Sequence, residues 1–271
     1  MVPTREYTPS LGEGILIDMK KENTHIIIQA RMGSSRLPGK ILMPFVGGYT
    51  FLEWVVDRVR TSNVADTVIV ATTTNPFDDA VEELCVRRGY DYLRGSEEDV
   101  LDRYFEAAQK FQSRIMVRVM SDNPLVDIPE MDRLIETRES EGLDYANNHP
   151  AGLPVGTGSE VFTFEAFKRV AAEAKDPYEH EHVTPYFYRH LELFKQRNVE
   201  PVVVHPFAPQ VRLTLDTSED LQLLKALAAG MGFSRPEDQP TTNEILSYLE
   251  AHPELVRLNQ AIVQKTFPKA R

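Results

Sequence analysis

Up to about residue 143, short continuous apolar runs alternate with amphipathic stretches, and few classes of fold accommodate that order. HIIIQA at 25–30, TVIVA at 67–71 and RIMVRVM at 114–120 are short and largely β-branched, so they predict buried strands. Phe51, Leu52, Val55, Val56 and Val59 recur at helical spacing, as do Val100, Leu101, Tyr104, Ala108 and Phe111. Residues 78–88, closed by Gly89, and 129–140 predict two more helices, and Asp91–Leu93 a short strand. Alternation of this kind implies βαβ units: an α/β fold with a mostly parallel central sheet and helices on both faces. In such sheets, ligands bind beyond the carboxyl ends of the strands.

After residue 143 the pattern loosens. Residues 145–165, rich in Gly, Pro and Asn, read as loops and short strands. Helices are expected near 164–174 and 179–190, strands near 201–204 and 211–215, and two outer helices from about Thr241. The expected organisation is a polar extension over 1–23, a main domain over 24–235 with a small lobe at 145–190, and C-terminal helices over 236–271.

The balance of 30 Lys plus Arg against 41 Asp plus Glu gives a net charge of −11, which disfavours a general nucleic-acid binder. Any phosphate site must therefore be local. Cys85 is the sole cysteine, so no disulfide or cysteine–zinc cluster forms within one chain, as suits a reducing cytoplasm. The apolar stretch at 14–17 is too short for a signal segment or membrane span.

One such local site follows the first strand. Segment 31–40, RMGSSRLPGK, places Arg31, Arg36 and Lys40 among glycines. Glycines let backbone N–H groups approach phosphate oxygens, and the three cations supply countercharge. It is not a P-loop: the spacing from Gly33 to Gly39-Lys40 is too long, and Ile41 stands where a magnesium-binding hydroxyl is needed. Asp122 follows the strand RIMVRVM and Asp216 follows VRLTL, so a parallel sheet can bring them together; locally they also read as an Asx-turn and a helix N-cap. Ser96, in GSEED at 95–99, reads as the start of a capping pattern. Arg118 alternates with Val117 and Val119 in a buried-looking strand and needs a carboxylate or phosphate partner. His180 and His182 would point apart on a helix, which argues against a zinc pair.

RMGSSRLPGKIL resembles the signature loop of the sugar-acid cytidylyltransferases, a family that includes the CMP-KDO and CMP-sialate synthetases. The likeness is greatest to the branch typified by spore coat polysaccharide biosynthesis protein F. It continues through VATTTNPFDD, RGSEEDVLDRY, SDNPLVD, SEVFTFEAF, EHVTPY and RLTLDTSEDL, in order, over about residues 25–230. The resemblance implies a Rossmann-like, GT-A-like nucleotidyltransferase fold. In it an acceptor hydroxyl attacks the α-phosphate of CTP and pyrophosphate leaves.

By that resemblance Arg31 and Lys40 are catalytic, and Arg31, Gly33, Ser34, Arg36 and Lys40 hold the triphosphate. Ala71, Thr72, Gly95 and Ser96 line the cytosine pocket. Asp122 and Asp216 hold Mg2+, a chemistry suited to few carboxylates beside phosphate oxygens. Glu160, His182 and Tyr186 face the acceptor. Departures from the family pattern at Ser121, Gly158, Ser159 and His180 leave the acceptor's identity open. The resemblance also implies a homodimer through residues 145–190, where Val161, Phe162, Phe164 and Phe167 cluster outside the βαβ pattern. The competing readings are a nucleotide-sugar glycosyltransferase of similar fold and a non-catalytic nucleotide-binding protein. The first would want an Asp-x-Asp motif where this chain has Asp122-Asn123-Pro124.

Overall fold

The computed structural model describes residues 23–149, 152–202 and 204–263. Residues 1–22 of the expected N-terminal extension lie outside that range. Four strands form the parallel half of the sheet: β1 (Thr24–Gln29), β2 (Thr67–Thr73), β3 (Asp91–Gly95) and β4 (Ile115–Met120). Among the described residues β5 (Tyr145–Asn147), β6 (Glu160–Thr163) and β7 (Gln196–Asn198) complete seven strands in the order β3-β2-β1-β4-β6-β5-β7. Only β6 runs antiparallel to its neighbours. The order reverses between β1 and β4, and the crevice above that switch point is where an open α/β sheet binds its ligand.

Three consecutive isoleucines in β1 show why the strand reads as continuously apolar. Ile26 and Ile28 face one layer, with Leu52, Val55, Val56 and Val59 of α1 (Phe51–Val59), Val81 and Leu84 of α2 (Asp79–Arg88), and Met131 and Leu134 of α4 (Ile128–Glu141). Ile27 faces the other, against Leu101, Tyr104 and Ala108 of α3 (Val100–Lys110) and Phe167 and Val170 of α5 (Phe164–Glu173). A strand covered on both faces has no polar side to show. α1 opens with a capping box between Thr50 and Glu53. α2 stops at Gly89, whose φ of 66° lies in the left-handed region, as the sequence implied.

A third cluster joins Phe45, Phe51 and Trp54 to α8 (Ser218–Met231) and α9 (Thr242–Ala251), and α10 (Pro253–Val256) adds Val256. Trp54 is wholly buried there, its indole N–H donating to Pro124 O at 3.0 Å and to Gln239 Oε1 at 3.3 Å.

Several expectations change. The helix expected at 179–190 is two short ones, α6 (Pro177–His182) and α7 (Pro185–Arg189), because Pro185 starts a new turn and Val183 lies at φ 72°. The late strand is β7, upstream of 201–204: Pro201 offers no N–H, and the Val202 N–H donates to Glu130 at 2.9 Å. Residues 211–215 are extended but not a strand; they bond instead to loop positions Val155 and Asp122. Ser96 does not cap α3. Asp99 does, accepting from Asp102 N at 2.8 Å, while Ser96 Oγ accepts from Asp99 N at 3.0 Å. Residues 145–165 are not all outside the sheet, since β5 and β6 extend it, and Val161, Phe162 and Phe167 are fully buried in the chain's own cores.

Candidate active site

The loop after β1 turns on the peptide of Met32. Its carbonyl accepts from Ser34 N at 2.8 Å and Gly39 N at 3.1 Å, closing residues 32–39 into a compact turn. Gly39 has φ 70°, which favours glycine, whereas Gly33 is not in a positive-φ conformation and a Cβ there would make only ordinary contact with Glu97. Ser34 Oγ accepts from Leu37 N at 3.3 Å. Arg31 is exposed on this loop, and Lys40 begins a 3-10 turn through Leu42 at its far end.

The two aspartates meet because the segment before Asp216 is pinned across the switch point. Asp122 O accepts from Leu215 N at 2.8 Å and from Thr214 Oγ1 at 3.2 Å. Leu213 N donates to Val155 O at 2.7 Å, and Gly156, at φ 98°, lets the 155–157 loop lie against it; a Cβ there would sit 2.7 Å from Leu213 C. Lys40 stands between the two carboxylates, donating to Asp122 Oδ2 at 2.7 Å, Asp216 Oδ1 at 2.9 Å and Leu215 O at 2.7 Å. Three donors meet three acceptors in a position 8% exposed. Asp216 also takes Arg36 at 3.0 Å and, on its other oxygen, Arg212. It does not cap α8: Thr217 does, in a capping box with Asp220. Asp220, wholly buried, holds Arg212 Nε at 3.1 Å and Asp216 N at 2.9 Å.

Burial works against both charges at the centre, and the partners win. Desolvation would lower Lys40, but Asp122 and Asp216 raise it above its ordinary value. Desolvation would raise Asp216, but Lys40, Arg212 and Arg36 hold it below the usual carboxylate value. Among the described residues Asp122 Oδ1 is buried with no hydrogen-bond partner.

On one side of this centre lie the ends of β2 and β3. Ala71 and Thr72 are wholly buried, and Thr72 Oγ1 has no hydrogen-bond partner among the described residues. Gly95 ends β3 against Arg103, where a Cβ would meet Cγ at 3.2 Å, and Ser96 O accepts from Arg103 at 2.6 Å. On the other side Arg118 finds the partner that its strand position demanded. It donates to Glu160 Oε2 at 2.6 Å and to Gln29 Oε1 at 3.1 and 3.3 Å, while Tyr145 OH donates to Glu160 Oε1 at 2.6 Å. Burial would raise Glu160, yet Arg118, His149 and Tyr145 outweigh it and keep the carboxyl low.

The expected acceptor residues are not all brought together. Glu160 is 6% exposed and already engaged on both oxygens. His182 lies with its ring 4.3 Å from that of Tyr178. Tyr186 donates to Glu173 at 2.7 Å and its ring lies 4.2 Å from that of His190, contacts that belong to the packing of α5 and α7. Sequence reasoning passed over Gln29, Tyr145, Arg212 and Asp220. The signal for Arg212 and Asp220 was there, a cation and a carboxylate flanking Asp216 in RLTLDTSED; Tyr145 and Gln29 read as ordinary strand residues.

A family model described as cytidylyltransferase matches residues 25–249. Spore coat polysaccharide biosynthesis protein SpsF from Bacillus subtilis is 36% identical over 242 residues, 87% of this chain and 97% of that protein. A 3-deoxy-manno-octulosonate cytidylyltransferase from a Chelativorans species is 30% identical over 262 residues, covering 82% and 96% of the two chains. Among solved structures, a cytidylyltransferase from Leptospira borgpetersenii superposes with a TM-score of 0.81 at 31% identity, over 90% of this chain and all of the other.

Proposed function

The chain belongs to the cytidylyltransferase family, enzymes that transfer CMP from CTP, and on that premise we propose how its residues perform the transfer and on what. The observation that carries the proposal is Lys40 bracketed by Asp122 and Asp216 at the sheet's switch point, beside the cationic loop. Arg31 and Arg36 neutralise the triphosphate, and Lys40 joins them on exchanging one of its carboxylate partners for a phosphate oxygen; all three act most strongly as charge builds on the leaving group. The acceptor hydroxyl oxygen forms a bond to the α-phosphorus, the bond to the β-phosphate oxygen breaks, and pyrophosphate departs with the electron pair. The hydroxyl proton passes to solvent.

Asp122 and Asp216 are the residues that would hold Mg2+, which would supply positive charge to the phosphate oxygens; Asp216, engaged by Lys40 and Arg36 on one oxygen and Arg212 on the other, would exchange one of these cations for the ion. The unpartnered Asp122 Oδ1 fits that role. Ala71, Thr72 and the loop at Gly95 and Ser96 read the cytosine, and a small sugar-like acceptor binds on the Arg118–Glu160 side of the centre, with His182 as a further contact. Tyr186 acts there through packing. Among the described residues no helix is long and apolar enough to cross a membrane, and the reading places the enzyme in the cytoplasm, where CTP is made. It also includes a homodimer, supported by the family resemblance alone now that the apolar residues at 161–167 prove to be mostly internal.

Pyrophosphate release with each of the four nucleoside triphosphates, Mg2+ and a panel of sugar acids, phosphorylated polyols and phosphonates tests the proposal. CTP should dominate. UTP lacks the ring amino group and leaves its buried acceptors unsatisfied, at a cost of ~1–3 kcal/mol. Equal turnover with ATP would overturn the assignment of the pocket.

A further inference from the structure

Asp78 occupies the N-cap position of α2, where an aspartate ordinarily accepts a backbone N–H of the first helical turn. Its carboxylate makes no such bond. Only 2% exposed, it instead accepts the Met32 N–H at 2.6 Å on one oxygen and the Thr73 hydroxyl on the other. Met32 is the pivot of the phosphate loop, since its carbonyl is the group on which Ser34 N and Gly39 N close. Asp78 therefore grips the loop at its base and ties it to the end of β2. The turn that carries Asp78 also reaches the base-side loop, through Asn75 Nδ2 to Glu97 at 2.6 Å and Thr74 N to Gly95 O at 2.9 Å.

We propose that Asp78 is a positioning residue: it forgoes capping its own helix to fix the Met32 peptide, and so sets the direction in which the loop cations meet the departing pyrophosphate. The kinetic part of this inference rests on the cytidylyltransferase reading; the structural part rests on the hydrogen bonds alone. Without the carboxylate, the Met32 N–H loses its acceptor and the loop can swing. Cations that act mainly on charge developing in the transition state then lose effect in kcat before they lose it in substrate binding.

Three variants test it: Asp78→Ala, Asp78→Asn, and Asp127→Ala as a control. Asp127 is a true cap, accepting Glu130 N at 3.0 Å at the start of α4. Asp78→Ala is expected to lower kcat by ~10–100-fold while the KM for CTP stays within about threefold. Asp78→Asn should recover to within about threefold of wild type, because the amide oxygen accepts from Met32 and its nitrogen donates to the Thr73 oxygen. Asp127→Ala should lower Tm and leave kcat unchanged. Hydrogen exchange over residues 32–40, measured without substrate, should speed up by ~10-fold or more in Asp78→Ala and stay at the wild-type rate in Asp127→Ala. Wild-type kcat in Asp78→Ala, equal losses in the Ala and Asn variants, or unchanged exchange in the loop would each overturn the proposal. A wild-type protein that releases no pyrophosphate from CTP would count against the cytidylyltransferase reading instead, and loop exchange would still decide the role of Asp78.

Discussion

Glu160→Gln removes one charge from the buried Arg118–Glu160 pair and changes little else. The amide can keep both hydrogen bonds, its oxygen accepting from Arg118 and its nitrogen donating to the Tyr145 hydroxyl oxygen. The loss is the Coulomb attraction, about 4 kcal/mol for unit charges ~4 Å apart at an effective dielectric near 20. The two side chains are 11% and 7% exposed, so water screens little of it. Gln29 Oε1 still faces the guanidinium and recovers part of the loss. We expect a destabilisation of about 3 kcal/mol, at the low end of the usual cost of removing one partner from a buried pair. The pH dependence is the sharper test. Burial alone would raise the Glu160 carboxyl, but Arg118 and the groups beside it depress it below the ordinary value. A carboxyl depressed in the folded state adds stability above its unfolded pKa, about 4.3, and that addition fades as pH falls through the folded value. The gap between wild type and variant should therefore be full at neutral pH and shrink below about pH 4, by up to ~1.4 kcal/mol per unit. Urea unfolding at about pH 7 and about pH 3.5 measures it. A gap under ~1 kcal/mol at neutral pH, or one of the same size at both, refutes the claim that a buried charge pair holds β4 to β6.

Lys40→Ala should reduce turnover by at least ~100-fold, about 2.7 kcal/mol of transition-state stabilisation, in steady-state pyrophosphate assays on folded protein. Asp122→Asn and Asp216→Asn should each abolish magnesium-dependent turnover; full activity of either at limiting magnesium would remove that residue from the ligand set. Light scattering should give twice the single-chain 30.8 kDa, and a mass near that value would reject the dimer. Phe162→Glu does not probe assembly, because Phe162 is fully buried between Phe167 and Phe187 and the charge should prevent folding.

The parallel half of the sheet was legible in the residues because each strand carries its own signature. Ile26–Ile28 and Val68–Val70 are buried on both faces, so composition within a single segment reports their position. The cationic loop was legible for the same reason: Arg31, Arg36 and Lys40 lie within ten residues, and local spacing is visible directly in a sequence. The pairing of Asp122 with Asp216 was read from two strand ends, but the segment before Asp216 is not a strand; it is pinned to Val155 and Asp122 by loop hydrogen bonds that no local pattern announces. Only the tertiary structure decided the long-range contacts. Lys40 belongs with both aspartates because Asp122 O captures the Leu215 N–H across the switch point. Asp78 serves Met32 rather than its own helix because β1 and β2 are neighbours with their ends aligned. Val161 and Phe162 are core rather than interface because β6 inserts, antiparallel, beside β4. A side chain's identity fixes which partners it can accept. Which of them comes within about 3 Å is set by how the strands are ordered, and that order is a property of the whole chain.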